Sequence, residues 1–141
     1  MNSLQIQKIL SKFKNFLGIY ARDELPYKVK YPSFFIFNTD NRSEPGEHWL
    51  AIFIDENKNA EFFDSYGNHP RYFRLEKYLD KIGRSWTYND KIIQDYFSQL
   101  CGHYCIYFII EKLKGKTLEE IQKDLNNQDN NFILNFIKHH T

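Results

Sequence analysis

The chain has 141 residues, 13 Phe and 10 Tyr among them, with charged residues at 26% and a formal net charge of +1. That aromatic-rich, moderately charged composition excludes disordered and low-complexity classes, and the length suits one domain, residues 1–141, whose core needs no metal or disulfide staple. With 19 Lys and Arg against 18 Asp and Glu, no net field recruits nucleic acid or an anionic membrane, so any such contact must be local.

The opening residues MNSLQIQKILSKFKNF place Lys8, Lys12 and Lys14 among their apolar positions, so they read as neither signal peptide nor membrane span. Leu4, Ile6, Ile9, Leu10, Phe13, Phe16 and Leu17 recur at helical intervals, which predicts an amphipathic helix capped by Ser3 and stopped at Gly18. The two prolines of IYARDELPYKVKYP make the next stretch a loop, and Ser33–Asn38 (SFFIFN) a first strand. After the polar string DNRSEPGE, the runs HWLAIFID (48–55) and AEFFD (60–64) flank DENKN and predict an antiparallel hairpin. A turn over Ser65–Pro70, a helix spanning Tyr72 to Ile82 and an extended SWTY (85–88) follow. Gly102–Leu113 is nearly all apolar and predicts a central buried helix. Thr117 with Glu120 forms a capping box for TLEEIQKDL, and the Asn-rich NNQDNN precedes a last helix, NFILNFIK. The whole reads as an α+β fold, a mixed and mainly antiparallel sheet packed against helices.

Three segments hold chemistry rather than packing: GEHWLAIFID with His48, EFFDSYG with Asp64, and QDYFSQLCGHYC with Gln94 and Cys101. A cysteine attacks as thiolate, and Cys101 at the mouth of the central helix would have its pKa lowered by the helix N-terminus and by an imidazolium. His48 at a strand start can supply that imidazolium, and Asp64 at the neighbouring strand's end can fix its tautomer. The Gln94 amide and the Cys101 backbone N–H would stabilise an oxyanion, Gly102 would let substrate backbone approach, and Trp49 would wall the cleft. Taken singly these residues have plainer readings: a core thiol, a strand-end histidine, a turn-capping aspartate, a core Trp. Cys105, one turn on, reads as core. A metal site of His103 with the cysteines is rejected because residues two apart on a helix do not share a face. Two cysteines are too few for a secreted disulfide framework, so a reducing, intracellular compartment is expected.

In order, His48-Trp49, an acid a strand later at Asp64, and Gln94 seven residues before Cys101-Gly102 resemble the motif set of the adenain-like cysteine proteases and of the superfamily that includes the ubiquitin-like-protein proteases. The resemblance runs over roughly residues 4 to 110 and takes in FLGIYARDELP, IFNTDNRSEPGEHW and FFDSYG. It implies a cysteine-protease fold with the nucleophile heading the central helix, and a His48–Asp64–Cys101 triad with Gln94 as oxyanion donor. It also implies a polypeptide substrate with small residues or glycine before the cleaved bond, and no cofactor. In a virus-like setting the substrates would be capsid or core precursors, and the enzyme a monomer in host cytoplasm or nucleus, with packaging in a virion a further expectation. Asp64 stands where adenovirus enzymes usually carry Glu, whereas the ubiquitin-like-protein proteases carry Asp there, as this chain does. No cysteine precedes Cys101, so an activating peptide or DNA, if used, would not act through an upstream disulfide. The residues leave three other readings open: a protease of ubiquitin-like modifiers, an acetyltransferase, and an inactive binding module.

Overall fold

The computed structural model describes residues 1–43, 48–93 and 99–141. Helix α1 (Ser3–Leu10) starts at a reciprocal cap in which the Gln5 N–H donates to Asn2 Oδ1 and the Asn2 N–H donates to Gln5 Oε1. The cap is therefore Asn2 rather than Ser3, and the helix stops at Leu10, not Leu17. Phe16–Tyr20 instead forms strand β1, parallel to β2 (Ser33–Asn38). Phe13, Phe16 and Leu17 fit a helical period, but the Phe16 ring stacks on Phe34 with centroids 5.6 Å apart, a partner invisible to local spacing. Gly18, at φ 137°, absorbs the extra residue where pairing slips between Phe16 and Ile19.

Strands β3 (Trp49–Ile54) and β4 (Asn59–Phe63) form the expected hairpin. Its turn is held by Asp55 Oδ1, which accepts from the N–H groups of Asn57 and Asn59. The helix expected over 72–82 is broken: a 3₁₀ turn covers Pro70–Phe73, Arg74 turns left-handed at φ 59°, and α2 runs from Glu76 to Ile82. β5 (Ser85–Tyr88) then joins β4 in parallel. Among the described residues the sheet order is β1-β2-β3-β4-β5, its two inner ladders antiparallel and its two outer ladders parallel.

Both faces of this sheet are covered, which is why SFFIFN and WLAIFI read as unbroken apolar runs rather than alternating ones. Phe34, Ile36, Ala51 and Phe63 face α1, α3 (Cys101–Leu113), α4 (Leu118–Leu125) and α5 (Asn130–Lys138). Phe35, Phe37, Leu50 and Phe62 face α2. Each such Phe, taken fully out of water, contributes about 1.5–3 kcal/mol. The Thr117–Glu120 box caps α4 as predicted. α3 lies along β3 and is buried through nearly its whole length, and its first turn faces the start of that strand. Because Ala51 sits opposite Phe63, the residue just after β4 falls opposite Leu50, and the residue just before β3 is its diagonal neighbour, within side-chain reach.

Candidate active site

Those two residues are His48 and Asp64. His48 Nε2 donates to Asp64 Oδ1 at 2.6 Å, and the carboxylate is completely buried. Both of its oxygens have further donors: the Tyr66 N–H donates to Oδ1 at 3.0 Å and Asn68 Nδ2 to Oδ2 at 2.9 Å. Such a carboxylate is fixed in rotamer before any substrate arrives, and it fixes the imidazole in turn. The Tyr66 ring covers one face of His48, stacked at 4.6 Å between centroids with 17° between planes. With Nε2 committed to Asp64, the other ring nitrogen is left for Cys101, and each of these two groups shifts the pKa of the other.

Burial opposes a charge on His48, yet the hydrogen bonds and charges of Asp64 and Cys101 outweigh it and push its pKa up to about 9. Burial also opposes the Cys101 thiolate. Hydrogen bonds from His48, from the Trp49 N–H at 3.4 Å and from the Gly102 N–H, with the imidazolium charge, bring the thiol below its ordinary value. The two shifts run in opposite directions, and each favours the charged form of its group. Cys105, fully buried with its Sγ donating to the Trp49 carbonyl at 3.4 Å, is pushed well up by that burial and has no such partner.

A cleft of about 1160 Å³ opens over Cys101 and His48, walled by Trp49, Tyr66, Tyr72 and Met1. The Trp49 indole N–H donates to the Met1 carbonyl at 3.0 Å, which holds the ring half-buried at the rim. Gly102 has a different task from the one expected of it. It is buried, and a Cβ there would meet Trp49 Cδ1 at 3.2 Å and Met1 Cβ at 3.3 Å, so its missing side chain admits the cleft wall rather than substrate. Gln94 lies outside the described residues.

Sequence reasoning missed Asn68 and Asn89. Asn68 four residues after Asp64 could have been suspected, since amide side chains near a turn often bond within it. Asn89 gives no local signal, because it follows a separate strand and meets Asp64 only through the fold. His69 is half-buried and caps the Pro70–Phe73 turn, its Nδ1 accepting from the Arg71 N–H at 2.9 Å.

No protein-family model matches the chain. Over 96 residues it is 35% identical to a protein of Acanthamoeba polyphaga mimivirus that bears a provisional thiol-protease name, an alignment covering 61% of this chain and 32% of that one. Over 113 residues it is 34% identical to a cysteine protease of African swine fever virus, covering 67% of this chain and 41% of the other. The chain thus spans a third to two fifths of the length of these curated relatives. Among solved structures, the African swine fever virus protease superposes with a TM-score of 0.56 at 21% identity, over 99% of this chain and 66% of that one. ChlaDub1 of Chlamydia trachomatis gives 0.50 at 18% identity over 77% of this chain and 59% of that one. The central domain of a Legionella pneumophila protein gives 0.55 at 14%, over 100% and 98%. The fold is the α+β fold of these chains, and the sequence relatives are viral thiol or cysteine proteases.

Proposed function

We propose that the chain is the catalytic domain of a cysteine endopeptidase with Cys101 as nucleophile. The observation that carries this reading is the His48–Asp64 hydrogen bond set beside Cys101 at one cleft, with the thiol pKa lowered and the imidazole pKa raised. The Cys101 thiolate attacks the scissile carbonyl, and His48 passes its proton to the leaving amine. The acyl-enzyme then loses its acyl group to a water deprotonated by His48. Asp64 keeps the ring in the tautomer and orientation both steps need. The Cys101 backbone N–H and the Gln94 side chain are the oxyanion donors of this proposal; removing Gln94 should lower kcat more than it raises KM, by about 10²-fold.

The substrate proposed is an extended polypeptide with small residues or glycine before the cleaved bond, in the manner of a viral precursor protein, which the viral relatives support. Where a polyanion assists, the suitable surface lies around the exposed Tyr27 and Tyr31, over whose rings Lys81 and Lys58 sit, beside Lys28 and Lys30. Among the described residues no helix is long and apolar enough to cross a membrane.

The test needs no substrate at first. Iodoacetamide labelling of Cys101 against pH, read by mass spectrometry, should show an apparent pKa well below about 8.5 that reverts in His48→Ala. A panel of glycine-containing peptides then reports cleavage. An ordinary or inert Cys101 overturns the reading.

A further inference from the structure

Asn89 is completely buried, directly beyond the end of β5, and its side chain is spent entirely on main-chain groups. Asn89 Oδ1 accepts from the Asp64 N–H at 2.9 Å, and Nδ2 donates to the Asp64 carbonyl at 2.6 Å. One amide therefore clamps both backbone polar groups of the residue that holds His48. The same segment is joined to the Asp64 turn twice more. The Ile93 N–H donates to the Ser65 carbonyl at 2.8 Å, and Gly67, at φ 74°, lies so close that a Cβ there would stand 2.8 Å from the Lys91 carbonyl carbon.

Nothing about holding β5 to β4 requires this clamp, because the parallel ladder from Asn59–Ser85 to Phe62–Tyr88 is already complete before it. What the clamp adds is a fixed position for Asp64 after the strand has ended, where a backbone would otherwise be free to turn toward solvent. It also ties that position to residues 89–93, the stretch that runs directly into Gln94. We propose that Asn89 is a positioning residue of the proposed active site. Its amide sets the reach of the Asp64 carboxylate onto His48 and ties the acid's turn to residues 89–93. The inference rests on the cysteine-peptidase reading and concerns how that site is held, not which bond it cuts.

The experiment compares wild type with Asn89→Ala in peptide cleavage and in the pH profile of Cys101 labelling. A displaced Asp64 leaves His48 less well oriented and less favoured as a cation. The variant should lose about 10- to 100-fold in kcat, with KM within about twofold, and the apparent thiol pKa of Cys101 should move up toward its ordinary value. Should Asn89→Ala not fold, Asn89→Gln carries the same amide on a stem one methylene longer, keeps donor and acceptor, and should still lower kcat by displacing the acid. A wild-type kcat and labelling profile in a folded variant, whatever its melting temperature, overturns the positioning role. An ordinary thiol in the wild type overturns the underlying reading instead, so the two failures are told apart.

Discussion

Cys101 and Cys105 occupy successive turns of one helix, yet the fold treats them as different chemical groups. Both thiols bond the same residue from opposite sides: Cys101 Sγ receives the Trp49 N–H, while Cys105 Sγ donates to the Trp49 carbonyl. An N–H donor stabilises a thiolate and a carbonyl stabilises a thiol, so one strand residue sorts the pair. His48 and the cleft complete the difference on one side, and full burial completes it on the other. What this teaches is that an environment favouring the thiolate belongs to the first turn of α3 and not to cysteine as such.

The largest effect that could break this contrast is the exchange of the nucleophile. Cys101→Ala should abolish turnover and remove essentially all labelling near neutral pH, with Cys105 unmodified in the folded protein; residual peptide cleavage at the wild-type rate would refute the assignment. A subtler probe is pH. On the proposed mechanism the Cys101 thiolate and the His48 imidazolium coexist above the lowered thiol pKa and below the His48 value of about 9, so kcat/KM for a peptide should fall on both sides of that window. Stability follows with a definite sign. The His48 contribution, arising from a folded pKa raised above 6.5, is complete below 6.5 and disappears as pH rises through about 9. Denaturant titrations of wild type and His48→Ala across that range should converge on the alkaline side. The smallest effect belongs to Cys105→Ala, which loses a buried sulfur and its bond to Trp49: about 1–2 kcal/mol of stability and little activity. A loss of activity as large as that of the Cys101 variant would erase the distinction between the two turns.

Much of the proposed site is legible in the amino-acid sequence because its markers are short and ordered: His48-Trp49, Asp64 and Cys101-Gly102 stand out by their immediate neighbours. What supports them is not, since Asn89 and Asn68 act through contacts that spacing does not encode. The fold shows the same division. The β3–β4 hairpin and the boundaries of α3, α4 and α5 follow local apolar pattern and capping chemistry, and pattern and structure agree there within a residue or so. The residues of β1 obey a helical period, and only the parallel pairing with β2 decides against a helix. The break at Arg74 is hidden for a related reason, as a non-glycine residue in the left-handed region carries no signature in its identity.

His48 and Asp64 stand 16 residues apart on one hairpin, whereas the bond from Trp49 to the Cys101 thiol closes a separation of 52. Contacts of short separation form early and long ones late, and a chain leaving the ribosome folds from its N-terminal side. The His48–Asp64 half of the proposed centre can thus assemble while Cys101 is still being synthesised, and the thiol meets its proposed base only when α3 docks along β3. On the proposed mechanism, a chain interrupted anywhere before that helix would be chemically silent, and the ability to cut would be born in one stroke, with the docking of a single helix.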